Sequence, residues 1–273
     1  MLQEMLENVR AHTPLVHCIT NYVTVNDCAN ILLACGGSPI MADDPEEAAD
    51  ITSICNALVV NIGTLNQHTI PSMFFAAQRA NELNHPVVLD PVGAGASPLR
   101  TNTAHRLLDS VNFTVIRGNV SEIKALALGS ASTKGVDADA ADAIDESSID
   151  TVAGFAKEFA RRSGAVVAIT GAIDVIADAE HVCLIRNGHP MMSKITGTGC
   201  MLTALTAAYA AANPKRVFDA TVAAVCSMGL CGERAQARLS SVDGNATYRN
   251  YIIDEIFRLT GSVLEAGAAY EIR

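Results

Sequence analysis

The 273-residue sequence has no CxxC pair and no Cys/His spacing of the kind that binds zinc, so a structural zinc site is not expected to organise the fold. Its eight cysteines (Cys18, Cys28, Cys35, Cys55, Cys183, Cys200, Cys226 and Cys231) sit mostly inside apolar runs such as VCLI and AVCSMGLC. They read as reduced, buried thiols of a cytoplasmic protein. A basic cluster is absent too: 19 Lys and Arg against 29 Asp and Glu leave a formal charge of −10, which argues against nucleic acid and anionic membrane as partners. An anionic substrate must then be met by a metal ion or by backbone amides. No apolar run approaches the roughly 20 residues of a membrane span. The amino-terminal MLQEMLENVRAHTP carries acid and lacks the apolar stretch of a signal peptide. Two nucleotide-binding fingerprints are also missing. GxxxxGK[ST] does not occur, and GxGxxG fails because Leu202 stands where a third glycine would follow Gly197 and Gly199.

What the sequence does contain is 49% apolar residues, enough to bury a large core in a single domain spanning 1–273. Short runs rich in Val, Ile and Leu at 58–62, 87–90, 114–116 and 166–170, with helix-length segments between them, predict an α/β fold. Continuous apolar strands alternating with helices imply a mostly parallel sheet covered on both faces. Runs at 173–177 and 182–185 follow closely enough for an antiparallel hairpin at one edge, and three long helices are expected to finish the chain after residue 199. Asp44, Pro45 and Glu47 mark a helix start, and Gly164 a helix stop. The stretch 136–150, with five aspartates and one glutamate, reads as a solvated loop or exposed helix entry.

Ligands of open parallel sheets bind beyond the carboxyl ends of the strands. Four stretches hold unusual residues there: LDPVGAG (89–95), IRGNVSE (116–122), ITGAID (169–174) and ITGTGC (195–200). Asp90 puts a carboxylate at the end of a buried strand among flexible backbone; taken alone it equally suits a turn cap. Asn119 and Glu122 have the spacing of a capping box, and a first-turn carboxylate can also hold a hydrated magnesium ion. Arg117 is placed to meet a phosphate or to make a surface ion pair. GTGC offers free backbone N–H groups at the positive end of a helix, suited to a phosphoryl group. In the helix that follows, Leu202, Leu205 and Tyr209 share a face that reads as core.

Taken in order, these stretches resemble the hydroxyethylthiazole kinases, a thiamine-pathway family of the ribokinase-like superfamily. The densest match is PLVHCITNYVTVNDCANILLACGGSPIMA (14–42), joined by LVVNIGTL, VVLDPVGAGAS, IRGNVSEI, VAITGAIDVIAD and KITGTGC. The resemblance implies a ribokinase-like three-layer α/β sandwich that uses ATP and Mg²⁺ to phosphorylate the primary alcohol of 4-methyl-5-(2-hydroxyethyl)thiazole. It also implies a homotrimer with active sites between neighbouring subunits. Carried over to this chain, Met41 contacts the thiazole, Asn21 and Val23 line its pocket, and the stretch from Gly63 to Leu65 comes from a neighbour. Gly197 lies beside the substrate hydroxyl, Arg117 and Thr170 contact ATP phosphates, and Asp90 and Glu122 organise magnesium directly or through water. Many ribokinase relatives carry GAGD, whose aspartate is the base; here Thr198 and Cys200 occupy the second and fourth places. VDGNATY (242–248) also replaces the Gly-Pro-Gly-Ser-Phe segment common in thiazole kinases.

Gly197, Gly199 and Cys200 thus form the expected catalytic turn. Phosphoryl transfer often passes through a loose transition state that demands positioning more than a strong base. A thiol of ordinary pKa about 8.5, lowered at a helix amino terminus, would meet that demand. Cys200 is therefore expected to orient the hydroxyl and accept its proton, the alternative being a small thiol that merely fits the turn. Three competing readings remain at this level: a kinase of hydroxymethylpyrimidine or another small-ring alcohol, a non-catalytic shell that holds thiazole or nucleotide, and a thiol redox enzyme. The last is disfavoured because no second cysteine is near Cys200 in sequence.

Overall fold

The computed structural model describes residues 1–128 and 147–273, so most of the acidic stretch 136–150 lies outside the described residues. In chain order the strands are β1 Leu15–Ile19, β2 Ser38–Ile40, β3 Ala57–Asn61, β4 Val87–Asp90, β5 Val115–Asn119, β6 Val166–Thr170, β7 Asp174–Ala177, β8 Val182–Ile185 and β9 Tyr270–Ile272. They form one sheet of order β2-β1-β3-β4-β5-β6-β7-β8-β9. Pairing is parallel from β2 to β6 and antiparallel from β6 to β9.

The sheet is buried on both sides because its strands send alternate residues into two separate cores. In β3, Ala57 and Val59 enter one core while Leu58 and Val60 enter the other; Val166 and Ala168 alternate with Val167 and Ile169 in β6. The first core is closed by α1 Leu2–His12, α2 Val25–Cys35, α8 Thr198–Ala212, α9 Val217–Ala237, α10 Asn245–Arg258 and α11 Gly261–Gly267. The second is closed by α3 Ala48–Ile54, α4 Thr69–Glu82, α5 Pro98–Ser110, α6 Val120–Leu128 and α7 Ile149–Ser163. Three layers result, as expected. Helix α8 lies across β1, β3, β4 and β5. Every residue from Met201 to Ala210 is buried, so Leu202, Leu205 and Tyr209 belong to a helix that is apolar all round rather than to a single stripe.

Several boundaries differ from the sequence reading. Strand β5 runs on to Asn119, which puts Arg117 on the sheet. The 173–177/182–185 hairpin forms, but β9 pairs with its outer strand, and α11 with β9 follows the three long helices. Asp44 caps the turn that leads into α3: its carboxylate accepts the Glu46 N–H at 2.8 Å and its carbonyl accepts the Ala48 N–H at 3.0 Å, although α3 itself begins only at Ala48. Gly164 does end α7, in the left-handed conformation at φ 72°.

Strands β1 and β2 also escaped the sequence reading. His17 interrupts the apolar run of β1, yet it is fully buried, because Thr52 Oγ1 meets its Nδ1 at 2.8 Å and the Ala42 carbonyl meets its Nε2 at 2.7 Å. Strand β2 has three residues, one of them Pro39, and lies at the sheet edge where a missing N–H costs least. All eight cysteines are free thiols, seven of them buried and Cys200 partly exposed. Among the described residues no helix is long and apolar enough to cross a membrane.

Candidate active site

From β1 the chain crosses to β2 on one side and then to β3 on the other, so the order of strands reverses beside β1. A crevice at the carboxyl ends is expected at such a point. Two clefts open there, of about 380 Å³ and 510 Å³, and they share Arg117 and Gly199. The smaller one is walled by the ends of β1, β3 and β4 and reaches Cys200 at the start of α8. The larger one extends past Thr170 toward β7 and has an apolar floor of Leu202, Val225 and Met228.

In the smaller cleft the buried strand ends are tied together by side-chain amides. Asn61 and Asp90 end neighbouring strands in register, and Asn61 Nδ2 donates to Asp90 Oδ2 at 2.9 Å. Thr203, one turn into α8, donates to the same oxygen at 2.8 Å. Cys200 Sγ receives Asn21 Nδ2 at 3.2 Å and Asn61 Nδ2 at 3.3 Å. A sulfur that accepts from two amides keeps its own S–H free to point elsewhere. Sequence reading expected a helix terminus to lower this thiol; burial and the neighbouring Asp90 instead raise it, outweighing the hydrogen bonds from Thr24, Asn21 and Asn61. Cys28 lies close by after all, across Thr24, but burial first and Cys200 second push it up to about 12, so it makes a poor redox partner.

Arg117 stands where the two clefts meet, with only 12% of its side chain exposed, which excludes the surface ion pair. Its Nη2 donates to Thr170 Oγ1 at 2.6 Å and its Nη1 lies 3.7 Å from Asp90 Oδ1. The guanidinium rests against Gly199: a Cβ there would come within 2.5 Å of Nη1. The two glycines of the turn thus have different tasks. Gly197 supplies the left-handed backbone, φ 92°, that starts α8, while Gly199 leaves room for the arginine. No side chain caps α8, so its first N–H groups face the clefts.

Two buried polar atoms here have no hydrogen-bond partner, Asp90 Oδ1 and Arg117 Nε. Each such group costs roughly 1–3 kcal/mol unless a ligand satisfies it. Burial pushes the Asp90 carboxyl up to about 6; the Arg117 charge opposes this and Glu122 adds to it. Glu122 forms the expected capping box, accepting the Asn119 N–H at 2.9 Å while Asn119 Oδ1 accepts the Glu122 N–H at 2.8 Å. Its other oxygen accepts the Gly93 N–H at 2.9 Å. Among the described residues no three His, Cys, Asp or Glu side chains converge on a metal cage. The donor set fits a cation that keeps most of its water, with Asp90 Oδ1 free to face it and Glu122 left to act through water.

Asn21, Val23, Asp90, Arg117, Glu122, Gly197, Gly199 and Cys200 all line the smaller cleft, and Thr170 lines the larger. Gly63 and Thr64 also line this cleft within their own chain. Met41 does not line it; it follows β2, partly buried against the first core. Four residues in or directly behind the clefts escaped the sequence reading. Asn61 carried a signal, as the one polar residue in the run 58–62. Thr203 and Arg100 carried none, being ordinary helix residues. Asp174 was quoted only as the end of a stretch; it lines the larger cleft, where burial lifts it to about 7 against the Gly171 N–H and the Arg117 charge.

The Hydroxyethylthiazole kinase family model matches residues 6–262. A hydroxyethylthiazole kinase of Clostridium acetobutylicum is 63% identical over 271 residues, which cover 99% of each chain. The solved structure of a hydroxyethylthiazole kinase protein from Pyrococcus horikoshii OT3 superposes with a TM-score of 0.86 at 34% identity, covering 100% of this chain and 98% of that one. A ribokinase-like superfamily protein from Enterococcus faecalis shares the fold at 12% identity, with a TM-score of 0.59 and 95% of both chains covered. The three-layer sheet is therefore ribokinase-like, and the chain belongs to the hydroxyethylthiazole kinase family.

Proposed function

We propose that the protein transfers the γ-phosphoryl group of Mg-ATP to the primary hydroxyl of 4-methyl-5-(2-hydroxyethyl)thiazole, giving the thiazole phosphate used to make thiamine. The observation that carries this reading is the meeting of two clefts at Arg117 and Gly199, under the uncapped start of α8. The larger cleft takes ATP, its base over Leu202, Val225 and Met228 and its phosphates beside Arg117 and Thr170. The smaller cleft takes the alcohol, with Asn21 and Val23 on its wall and the hydroxyl between Gly197 and Cys200. The N–H groups opening α8 point at the shared boundary and hold the phosphoryl oxygens as charge shifts from one cleft to the other.

Magnesium, when bound, would supply charge neutralisation to the phosphates; Asp90, through its free Oδ1, and Glu122, through water, would hold it. Asn61 and Thr203 keep Asp90 turned so that this oxygen stays free. Cys200, held by Asn21 and Asn61, accepts a hydrogen bond from the alcohol. Its raised pKa fits a role in orientation, with the proton leaving late in a loose transition state. Met41, given to the thiazole by the family resemblance, follows edge strand β2 outside the smaller cleft, so that contact rests on the resemblance alone. Tyr22 and Val23, beside the cleft, are 76% and 55% exposed, and Ile54 and Phe75 expose 65% and 48%. These apolar side chains support a homotrimer whose subunits cover the cleft mouths. The free thiols suit a cytoplasmic enzyme.

A coupled assay with Mg-ATP and a panel of heteroaromatic alcohols tests the reading. Turnover on the thiazole alcohol, exceeding that on hydroxymethylpyrimidine, is expected. Preference for the pyrimidine would reassign the acceptor, and no turnover on any alcohol would favour a binding protein. Light scattering should give three chains per particle.

A further inference from the structure

The smaller cleft holds a second arginine that neither the resemblance nor the proposed reaction uses. Arg100 lines it from the first turn of α5, where Ser97 caps the helix by accepting the Arg100 N–H at 3.3 Å. A cation is the wrong charge for that end of a helix, because the backbone dipole there is already positive. The side chain curls back over the β4–α5 loop and lies on Gly93, at φ 72°; a Cβ at that position would collide with the guanidinium. Among the described residues its guanidinium makes one hydrogen bond, a long one from Nη1 to the Val92 carbonyl at 3.4 Å.

Neither acid of the cleft neutralises it. Both oxygens of Glu122 are taken by backbone N–H groups, those of Gly93 and Asn119. Asp90 is held by Asn61 and Thr203 and faces Arg117. Among the described residues no carboxylate lies within ion-pair distance of Arg100. A partly exposed guanidinium that gives the protein one long hydrogen bond and opens its other donors to the cleft, beside a helix amino terminus, suits an anion.

We propose that Arg100 is a phosphate-binding residue on the acceptor side of the cleft, and that it grips the phosphoryl group of the phosphorylated alcohol after transfer. Arg117 sits at the boundary of the two clefts and serves the phosphoryl group as it leaves the nucleotide. Arg100 lies only on the side to which the group moves. It therefore distinguishes the product from the neutral alcohol that precedes it, and sets how tightly the product is held before release. This inference rests on the kinase reading for the identity of the product.

The test is calorimetric titration of thiazole phosphate, and separately of thiazole alcohol, into wild-type protein, Arg100→Gln and Arg100→Lys, without nucleotide. The glutamine variant should bind the phosphate roughly 10- to 100-fold more weakly, the loss of charged hydrogen bonds, while affinity for the alcohol changes less than about twofold. The lysine variant should fall between, since it keeps the charge and loses the fork. In steady state the product-inhibition constant should rise in the same order. Equal weakening of alcohol and phosphate, no weakening of either, or a wild type that does not bind the phosphate would each overturn the inference. The wild-type turnover assay judges the kinase reading separately: a wild type that binds thiazole phosphate tightly through Arg100 yet phosphorylates no alcohol would sink that reading alone.

Discussion

Asp90 is the most informative residue to perturb, because its burial ties stability to activity with opposite signs. In the folded protein its carboxyl is raised from the ordinary 3.8 to about 6, chiefly by burial. A carboxyl raised on folding stabilises while protonated: that contribution is complete below about pH 4 and is lost as pH rises through about 6. The size of the loss is about 3 kcal/mol, from roughly two pKa units at 1.36 kcal/mol each. Asp90→Asn mimics the protonated group. Its carbonyl can still accept from Asn61 and Thr203, and its amide stands where Oδ1 stood, facing Arg117 at no greater disadvantage than a protonated acid.

The variant should therefore be more stable than wild type at pH 7.5, by up to about 3 kcal/mol, and the gap should shrink to roughly half by pH 5. Urea unfolding of both proteins in a chelating buffer, at pH 5, 6 and 7.5, measures it. Turnover with Mg-ATP should meanwhile fall by at least about 100-fold, since the unpartnered oxygen that faces the cation is gone. A variant less stable than wild type at pH 7.5, or a gap that ignores pH, would refute the account of Asp90 as a charge held in place at a cost to stability.

Cys200→Ala should slow turnover by roughly 10- to 100-fold, less than Asp90→Asn does, because orientation is lost while the amides of α8 remain. Cys200→Asp should stay active, and a folded but dead aspartate variant, shown by circular dichroism, would remove Cys200 from the base position. Gly199→Ala places a methyl 2.5 Å from Arg117 Nη1 and should push the guanidinium off the cleft boundary. The KM for ATP should then rise and kcat fall with little change in melting temperature; wild-type kinetics would contradict the contact.

Periodicity alone made the parallel sheet and its two helical covers legible, since runs such as 58–62 and 166–170 are buried on both sides wherever they sit. It failed for β1, where a histidine is tolerated only because Thr52 and the Ala42 carbonyl meet its two nitrogens. It failed for β2 and β9 as well, three-residue strands that neighbouring strands hold in place. Within the site, strand-end position pointed to Asp90, and the GTGC turn pointed to the uncapped helix start at the cleft. The room that Gly199 leaves was not legible there, because the arginine it accommodates arrives from β5, far away in sequence.

The sequence by itself determined the layers, the capping box of Glu122 and the glycine turn that opens α8, because each depends on residues near one another in the chain. Only the tertiary structure decided the direction of the Cys200 pKa, the two orphaned atoms of Asp90 and Arg117, and the freedom of Arg100. Those properties are set by burial and by the charges that face a group across the fold, and local spacing carries no record of either.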